Sequence, residues 1–164
     1  MLRVEPLDPR RHDRSRFDCG TASLDEYLQQ HAARHMESGI SATHVLVDPH
    51  APAPAAIIGY YSAAAAQLLL SDLQEGDRRR LPRYPVPAMR IGRLAVHASE
   101  HSRGHGGFLL ADAVSRALAL RTELGLRVLI VDALDERACA FYRAFGFRDC
   151  TAVGRTLYLS LGAP

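Results

Sequence analysis

An α+β fold, a mixed sheet with helices on both faces, follows from three features of this 164-residue chain. The run Val128-Leu129-Ile130-Val131 is continuously apolar, as a central strand buried on both faces must be. A long segment with Phe108, Leu110, Ala113, Val114, Ala117, Leu118 and Leu124 at helical spacing reads as an amphipathic helix. Strand-like and helix-like runs then follow one another in the order β-α-β-β-(α)-β-α-β-α-β-β.

Leu2-Arg3-Val4 reads as the first strand. The stretch with Arg10, Arg11, Arg14 and Arg16 reads as a solvated loop, and Phe17-Asp18-Cys19-Gly20 as a turn. Ser23-Leu24-Asp25-Glu26 matches a capping box that starts a helix, with Leu24, Tyr27, Leu28, Ala32 and Met36 on its apolar face and Gly39 at its end. Residues 43–47 and 56–64 read as a hairpin whose second strand places Tyr60 and Tyr61 on opposite faces. Residues 67–83 read as a short helix with a basic exit loop. Residues 89–96 are a strand interrupted by Arg90, Gly92 and Arg93, a sign of a bulge or of a ligand alongside. The long helix closes at Gly125; Asp135 caps another, with Ala138, Phe141, Tyr142 and Phe145 on one side and Gly146 as its stop. Phe147 and residues 156–159 supply the last strands. With no repeat and no linker, residues 1–164 read as one domain.

Composition narrows the function classes. Hydrophobic residues make up 48% and charged residues 23%, an ordinary globular balance, and the formal net charge of +2 does not by itself announce nucleic acid. All 20 basic residues are Arg, which makes forked contacts to phosphate. Three scattered Cys and eight His without paired-ligand spacing predict a reducing compartment and no metal. The first residues lack the apolar core of a signal peptide and no run approaches membrane length, so the expectation is a cytoplasmic protein without a membrane.

Between the strand Leu94-Ala95-Val96 and the long helix lies His101-Ser102-Arg103-Gly104-His105-Gly106-Gly107. Strand, glycine turn and helix suit a phosphate: glycine lets the backbone approach, and the unpaired N–H groups at the helix start point at the anion. Taken alone, such a pattern is more often an ordinary turn before a helix. A second motif follows downstream, Asp135-Glu136-Arg137-Ala138 leading to Phe141-Tyr142-Arg143-Ala144-Phe145-Gly146-Phe147. Together the two resemble the acyl-CoA-binding core of the GNAT acetyltransferase superfamily. Phe17-Asp18-Cys19-Gly20, Leu24-Asp25-Glu26-Tyr27-Leu28, Ile58-Gly59-Tyr60-Tyr61-Ser62 and Ile91-Gly92-Arg93-Leu94-Ala95-Val96 resemble, more narrowly, the GNAT toxins of bacterial toxin–antitoxin pairs.

The resemblance implies a GNAT-like, mostly antiparallel sheet of six to seven strands and acetyl-CoA as co-substrate. It implies acetylation of the α-amino group of aminoacyl-tRNA, which blocks translation, a ribbon–helix–helix antitoxin as partner, and a homodimer. Leu94, Ala95 and Val96 would pair with the pantetheine arm; Arg103, Gly104, His105, Gly106 and Gly107 would hold the pyrophosphate; Asp135 and Phe141 would complete the cofactor site. The N–H of Val96 would face the acetyl carbonyl, and Tyr142 would be the general acid for the departing thiolate. By helix pattern alone, Phe141, Tyr142 and Phe145 are far more often core than catalysis. Arg78, Arg79, Arg80, Arg90 and Arg93 are the candidate substrate-binding residues, although an arginine-rich loop is also an ordinary solvated face.

Two departures matter. The superfamily's turn generally begins with Gln or Arg, and here that place is His101. Some members carry a Glu on the preceding strand as base, whereas residues 89–96 contain no carboxylate, leaving Glu100 or His97 as candidates. An α-amine with a pKa near ~8 needs far less help than a lysine near ~10.4, which favours an α-amino acceptor. A small amine or a peptide N-terminus is the alternative substrate, and a non-catalytic acyl-CoA-binding or antitoxin-binding module the third reading.

Overall fold

A computed structural model describes residues 1–151 and 154–162. In chain order the elements are β1 (Arg3–Pro6), β2 (His12–Asp13), α1 (Ala22–Glu26), a π-helical turn Tyr27–His31 leading into α2 (Ala32–Glu37), β3 (Ala42–Val47), β4 (Ala55–Ala56) and β5 (Gly59–Leu68). There follow α3 (Glu75–Arg78), β6 (Val86–Val96), α4 (His105–Leu120), β7 (Val128–Asp132), α5 (Glu136–Ala144), β8 (Arg148–Asp149) and β9 (Thr156–Ser160). Seven strands form one mixed sheet in the order β1-β3-β5-β6-β7-β9-β8, and β2 pairs with β4 in a small parallel ladder. The chain folds as two compact units, residues 1–64 with 92–113, and residues 65–91 with 114–164.

In the first unit β1 runs antiparallel to β3, and β3 antiparallel to β5 with Val45 opposite Tyr60. Both tyrosines of β5 are fully buried, so each phenol needs an acceptor. Tyr60 donates to the carbonyl of Leu24 on α1 (2.7 Å), beside a core of Phe17, Tyr27, Leu28, Val45 and Val47. Tyr61, on the opposite face, donates to Asp112 Oδ2 on α4 (2.6 Å), with His44 stacked on its ring at 5.0 Å. Helices therefore cover both faces of the strands in this unit, as expected.

In the second unit, Val128 to Val131 on β7 are buried because β6 pairs with them in parallel on one side and β9 antiparallel on the other. Val128, Ile130, Val86, Ala88 and Tyr158 share a core. Asp77 Oδ2 at the end of α3 accepts hydrogen bonds from Tyr158 (2.5 Å) and from Arg148 Nη1 (2.9 Å), which pins the start of the basic segment to β8 and β9.

Three boundaries differ from the sequence reading. The first helix starts at Thr21 rather than at Ser23, which lies inside α1. Asp25 accepts instead from the backbone N of Cys19 (2.9 Å), so a carboxylate in the helix's first turn organises the preceding loop. The long helix ends at Leu120, well before Gly125. There the Thr122 hydroxyl and backbone N both donate to Ala119 O, and the amides of Glu123 and Leu124 donate to Leu120 O, so the terminal carbonyls are taken up before Gly125 is reached. Finally, β6 begins at Val86 despite the flanking prolines and runs for 11 residues.

A Cβ on Gly59 would lie 2.9 Å from the carbonyl oxygen of Ala95 and 2.9 Å from Leu109 Cδ1. The carbonyl belongs to a strand and cannot step aside cheaply, so Gly59→Ala should lower stability by about 1–3 kcal/mol. A urea titration checks this: the midpoint falls while the slope stays unchanged.

Candidate active site

β6 pairs with β7 only from Ala88 to Ile91 and continues to Val96. Along that extension Ala95 is buried and Leu94 and Val96 are half-buried. A single 3-10 turn, Ala98–Glu100, then leads into the glycine turn. Ser102 and Gly104 take φ of 65° and 81°, and a Cβ on Gly104 would meet nothing within 4 Å, so Gly104 is there for its backbone angle rather than for room. α4 starts at His105, and the amide of Phe108 donates to Gly104 O (3.1 Å). The amides of His105, Gly106 and Gly107 fall in the first turn, where a helix offers no carbonyl of its own. A 16-residue helix adds its dipole in the same direction. Aligned amides beyond a left-handed turn fit a diphosphate.

The side chains around the turn are tied down. His101 Nε2 donates to Val96 O (2.7 Å), linking the turn to the end of β6. Glu100 Oε2 accepts from Arg103 Nη1 (3.0 Å) and lies 3.4 Å from His105 Nε2. His97 Nδ1 accepts from the backbone N of Ser99 (3.1 Å), which leaves Nε2 to donate to Arg16 O (3.3 Å). Both candidate bases therefore have structural partners. Sequence reasoning noticed His101 as a departure but missed its link to Val96, and it did not find the hub at Glu100. The only signal was the concentration of charged residues in Glu100, His101, Arg103 and His105.

Tyr142 sits on α5 in the second unit. Asp135 Oδ1 accepts from the backbone N of Ala138 (2.9 Å), so its carboxylate caps that helix. Phe141 is half-buried, its ring edge-on to Tyr142 at 5.2 Å and 5.0 Å from Phe145, while Tyr142 also packs on Phe147 at 5.6 Å. Tyr142 is 5% exposed. Burial pushes its phenol well above the ordinary range, with the Asp132 carboxylate and the Cys139 thiol adding in the same direction.

The five arginines are placed in three ways. Arg90 Nη1 donates to both oxygens of Asp132, at 2.6 Å and 2.7 Å. Arg93 lies over the ring of Tyr27, its Cζ 3.6 Å from the centroid. Arg78 ends α3 half-buried, followed by exposed Arg79 and Arg80. Among the described residues no group of three His, Cys, Asp or Glu side chains could hold a metal.

All three cysteines are free and buried, and burial first of all pushes the thiols of Cys19 and Cys150 up to about 11. The nucleophile is the thiolate, so at pH 8 the folded protein should take up almost no iodoacetamide, and all three thiols should react once it is denatured. Mass spectrometry of the two samples checks the expected difference.

Comparison with known proteins agrees with the geometry. The acetyltransferase (GNAT) family matches residues 56–147, a stretch that holds both the glycine turn and α5. A curated tRNA-acetylating toxin of Mycobacterium tuberculosis is 35% identical over 136 residues, covering 82% of this chain and 78% of that protein. A solved tyrosine-to-phenylalanine mutant of KacT superposes with a TM-score of 0.91 at 26% identity, covering 98% of this chain and 95% of the other. AtaT complexed with acetyl-methionyl-tRNA gives 0.90 at 26% identity, with the same coverage. On the family match and the M. tuberculosis relative, the chain belongs to the GNAT family of acetyltransferases.

Proposed function

We propose that this acetyltransferase is a toxin that moves the acetyl group of acetyl-CoA onto the α-amino group of aminoacyl-tRNA and so blocks translation. The observation that carries the reading is how the two candidate bases are engaged. β6 has no carboxylate, Glu100 is held by Arg103 beside His105, and His97 is committed through both ring nitrogens. At pH 7.5 roughly a quarter of an α-amine is already neutral, against roughly a thousandth of a lysine side chain. A site without a ready base suits the first. The M. tuberculosis relative named for tRNA acetylation and the AtaT complex with acetyl-methionyl-tRNA support the same substrate.

The roles follow. Acetyl-CoA supplies an activated acetyl thioester. The amides from Arg103 to Gly107 hold its diphosphate, and Arg103, kept in place by Glu100, adds a charge-assisted contact. The backbone of Leu94, Ala95 and Val96 lines the pantetheine arm as an added strand would, and the N–H of Val96 polarises the thioester carbonyl. Tyr142 gives its proton to the sulfur that leaves; burial keeps that proton on the phenol until negative charge develops. Phe141 and the Asp135 cap hold Tyr142 at its place on α5. Arg78, Arg79 and Arg80 form a phosphate track anchored through Asp77, while Arg90 and Arg93 stand on β6 as further substrate contacts. Residues 1–164 serve as one acetyltransferase domain, working in the cytoplasm as a homodimer restrained by a ribbon–helix–helix antitoxin. Solved AtaT structures include complexes with the antitoxin AtaR. No helix among the described residues is long and apolar enough to cross a membrane.

Tyr142→Phe should lower kcat by about 10²–10⁴-fold while acetyl-CoA affinity stays within twofold of wild type. Transfer of radiolabelled acetyl groups to total aminoacyl-tRNA measures the first and calorimetry the second. Acetylation confined to peptides or small amines would replace the RNA substrate by the alternative reading.

A further inference from the structure

β6 carries two arginines three residues apart, and the structure treats them differently. Arg90 has a carboxylate, Asp132. Arg93 is also half-buried, yet among the described residues no carboxylate or carbonyl accepts a hydrogen bond from it. The ring of Tyr27 lies under it, with the centroid 3.6 Å from the guanidinium carbon. A partly desolvated guanidinium whose fork of five N–H donors has no protein acceptor among the described residues is open to a ligand's acceptor, and a planar group over a ring is shaped to receive another plane.

The support under Arg93 is rigid. The Tyr27 hydroxyl is fixed by His35 Nδ1 (3.0 Å) and Ser41 Oγ (2.8 Å), and its ring is stacked on Tyr60 at 6.5 Å and 13°. Tyr27 begins the π-helical turn Tyr27–His31, and the rings of His31 and His35 stand 6.2 Å and 5.3 Å from it. His31 remains 40% exposed at the rim. A guanidinium laid over a ring that is itself held by neighbouring rings makes a platform for a nucleobase with a phosphate or ribose in reach of the fork.

We propose that Arg93, laid on Tyr27, is the stacking subsite for the terminal nucleoside of the acceptor RNA. This rests on the aminoacyl-tRNA reading above and goes beyond it by assigning the plane that holds the terminal base. The reaction offers an adenine nucleotide from two sources, the RNA end and coenzyme A, and the assignment here is to the RNA end.

The test uses aminoacyl-tRNA and the methyl ester of the same amino acid as paired acceptors, with wild type, Arg93→Lys and Arg93→Gln. Arg93→Lys keeps the charge and loses the plane. It should raise KM for aminoacyl-tRNA about tenfold and leave KM for the methyl ester and for acetyl-CoA unchanged, while Arg93→Gln, planar but uncharged, should fall between. Equal rises for both acceptors, a rise for acetyl-CoA, or wild-type behaviour of Arg93→Lys would overturn the subsite while leaving RNA acetylation intact. No acetylation of aminoacyl-tRNA by wild type would remove the underlying function itself. Independently of any variant, a tRNA ending in 2-aminopurine should lose fluorescence on binding wild type, since stacking quenches it. Binding without that loss would also overturn the proposal.

Discussion

Two neighbouring phenols on one strand set the terms for the first unit. Alternation along β5 sends Tyr60 and Tyr61 to opposite faces, and both are fully buried. An unpaired phenol there costs about 1–3 kcal/mol, so an acceptor must stand on each side. Leu24 O supplies one from α1 and Asp112 the other from α4. The second bond has an ionised acceptor and is the stronger. Because Asp112 lies two turns into the helix that opens with the glycine turn, Tyr61 also fixes where the first amides of α4 sit. Gly59, two residues back, lets the carbonyl of Ala95 approach this strand. Placement of the first amides of α4 thus depends on a tyrosine seven residues' reach along the helix from them.

The turn itself is an electrostatic compromise. Amides and a helix dipole favour an anion there, yet Glu100 lies within reach of the same loop. A carboxylate beside an anion site repels the ligand unless cations intervene. Here Arg103 and His105 both contact Glu100, so the carboxylate orders the donors as it is screened by them. His101 works on the other end of the loop, where its bond to Val96 O ties turn to strand. Gln or Arg at that position could reach a ligand; a short imidazole donates inward instead.

The fold was legible where burial dictates pattern. Val128 to Val131 had to be central because nothing polar interrupts them, and Asp135 had to cap because its spacing to Ala138 suits an N-cap bond. The start of the first helix was not, because Ser23 and Glu26 satisfy the box spacing while Asp25 is recruited by Cys19. Gly125 misleads for a related reason: Thr122, Glu123 and Leu124 satisfy the last carbonyls of the helix locally. The π-helical turn and the two-residue ladder of β2 with β4 leave no periodicity to read. Around the candidate site, the left-handed turn and the helix start could be read from glycines, whereas side-chain partners such as Glu100 to Arg103 depend on rotamers and on the turn's left-handed residues.

A chain with arginine as its only strong cation makes the contrast along β6 informative. Arg90 gives one arm, Nη1, to both oxygens of Asp132, Arg143 donates Nε and Nη2 to the two oxygens of Asp149, and Arg103 gives one arm to Glu100. In each case geometry matched to a carboxylate explains the residue. Arg143 holds the Asp149 carboxyl below its usual range, as a paired carboxylate should be. Arg93 breaks the pattern: its charge lowers the cost of ionising Tyr60 against a burial that raises it, and among the described residues no carboxylate accepts a hydrogen bond from it. Packing alone could have been met by a leucine on that strand. A guanidinium retained there, flat on a fixed ring and with its donors unspent, is better accounted for by a ligand that brings both a plane and an acceptor than by any requirement of the fold.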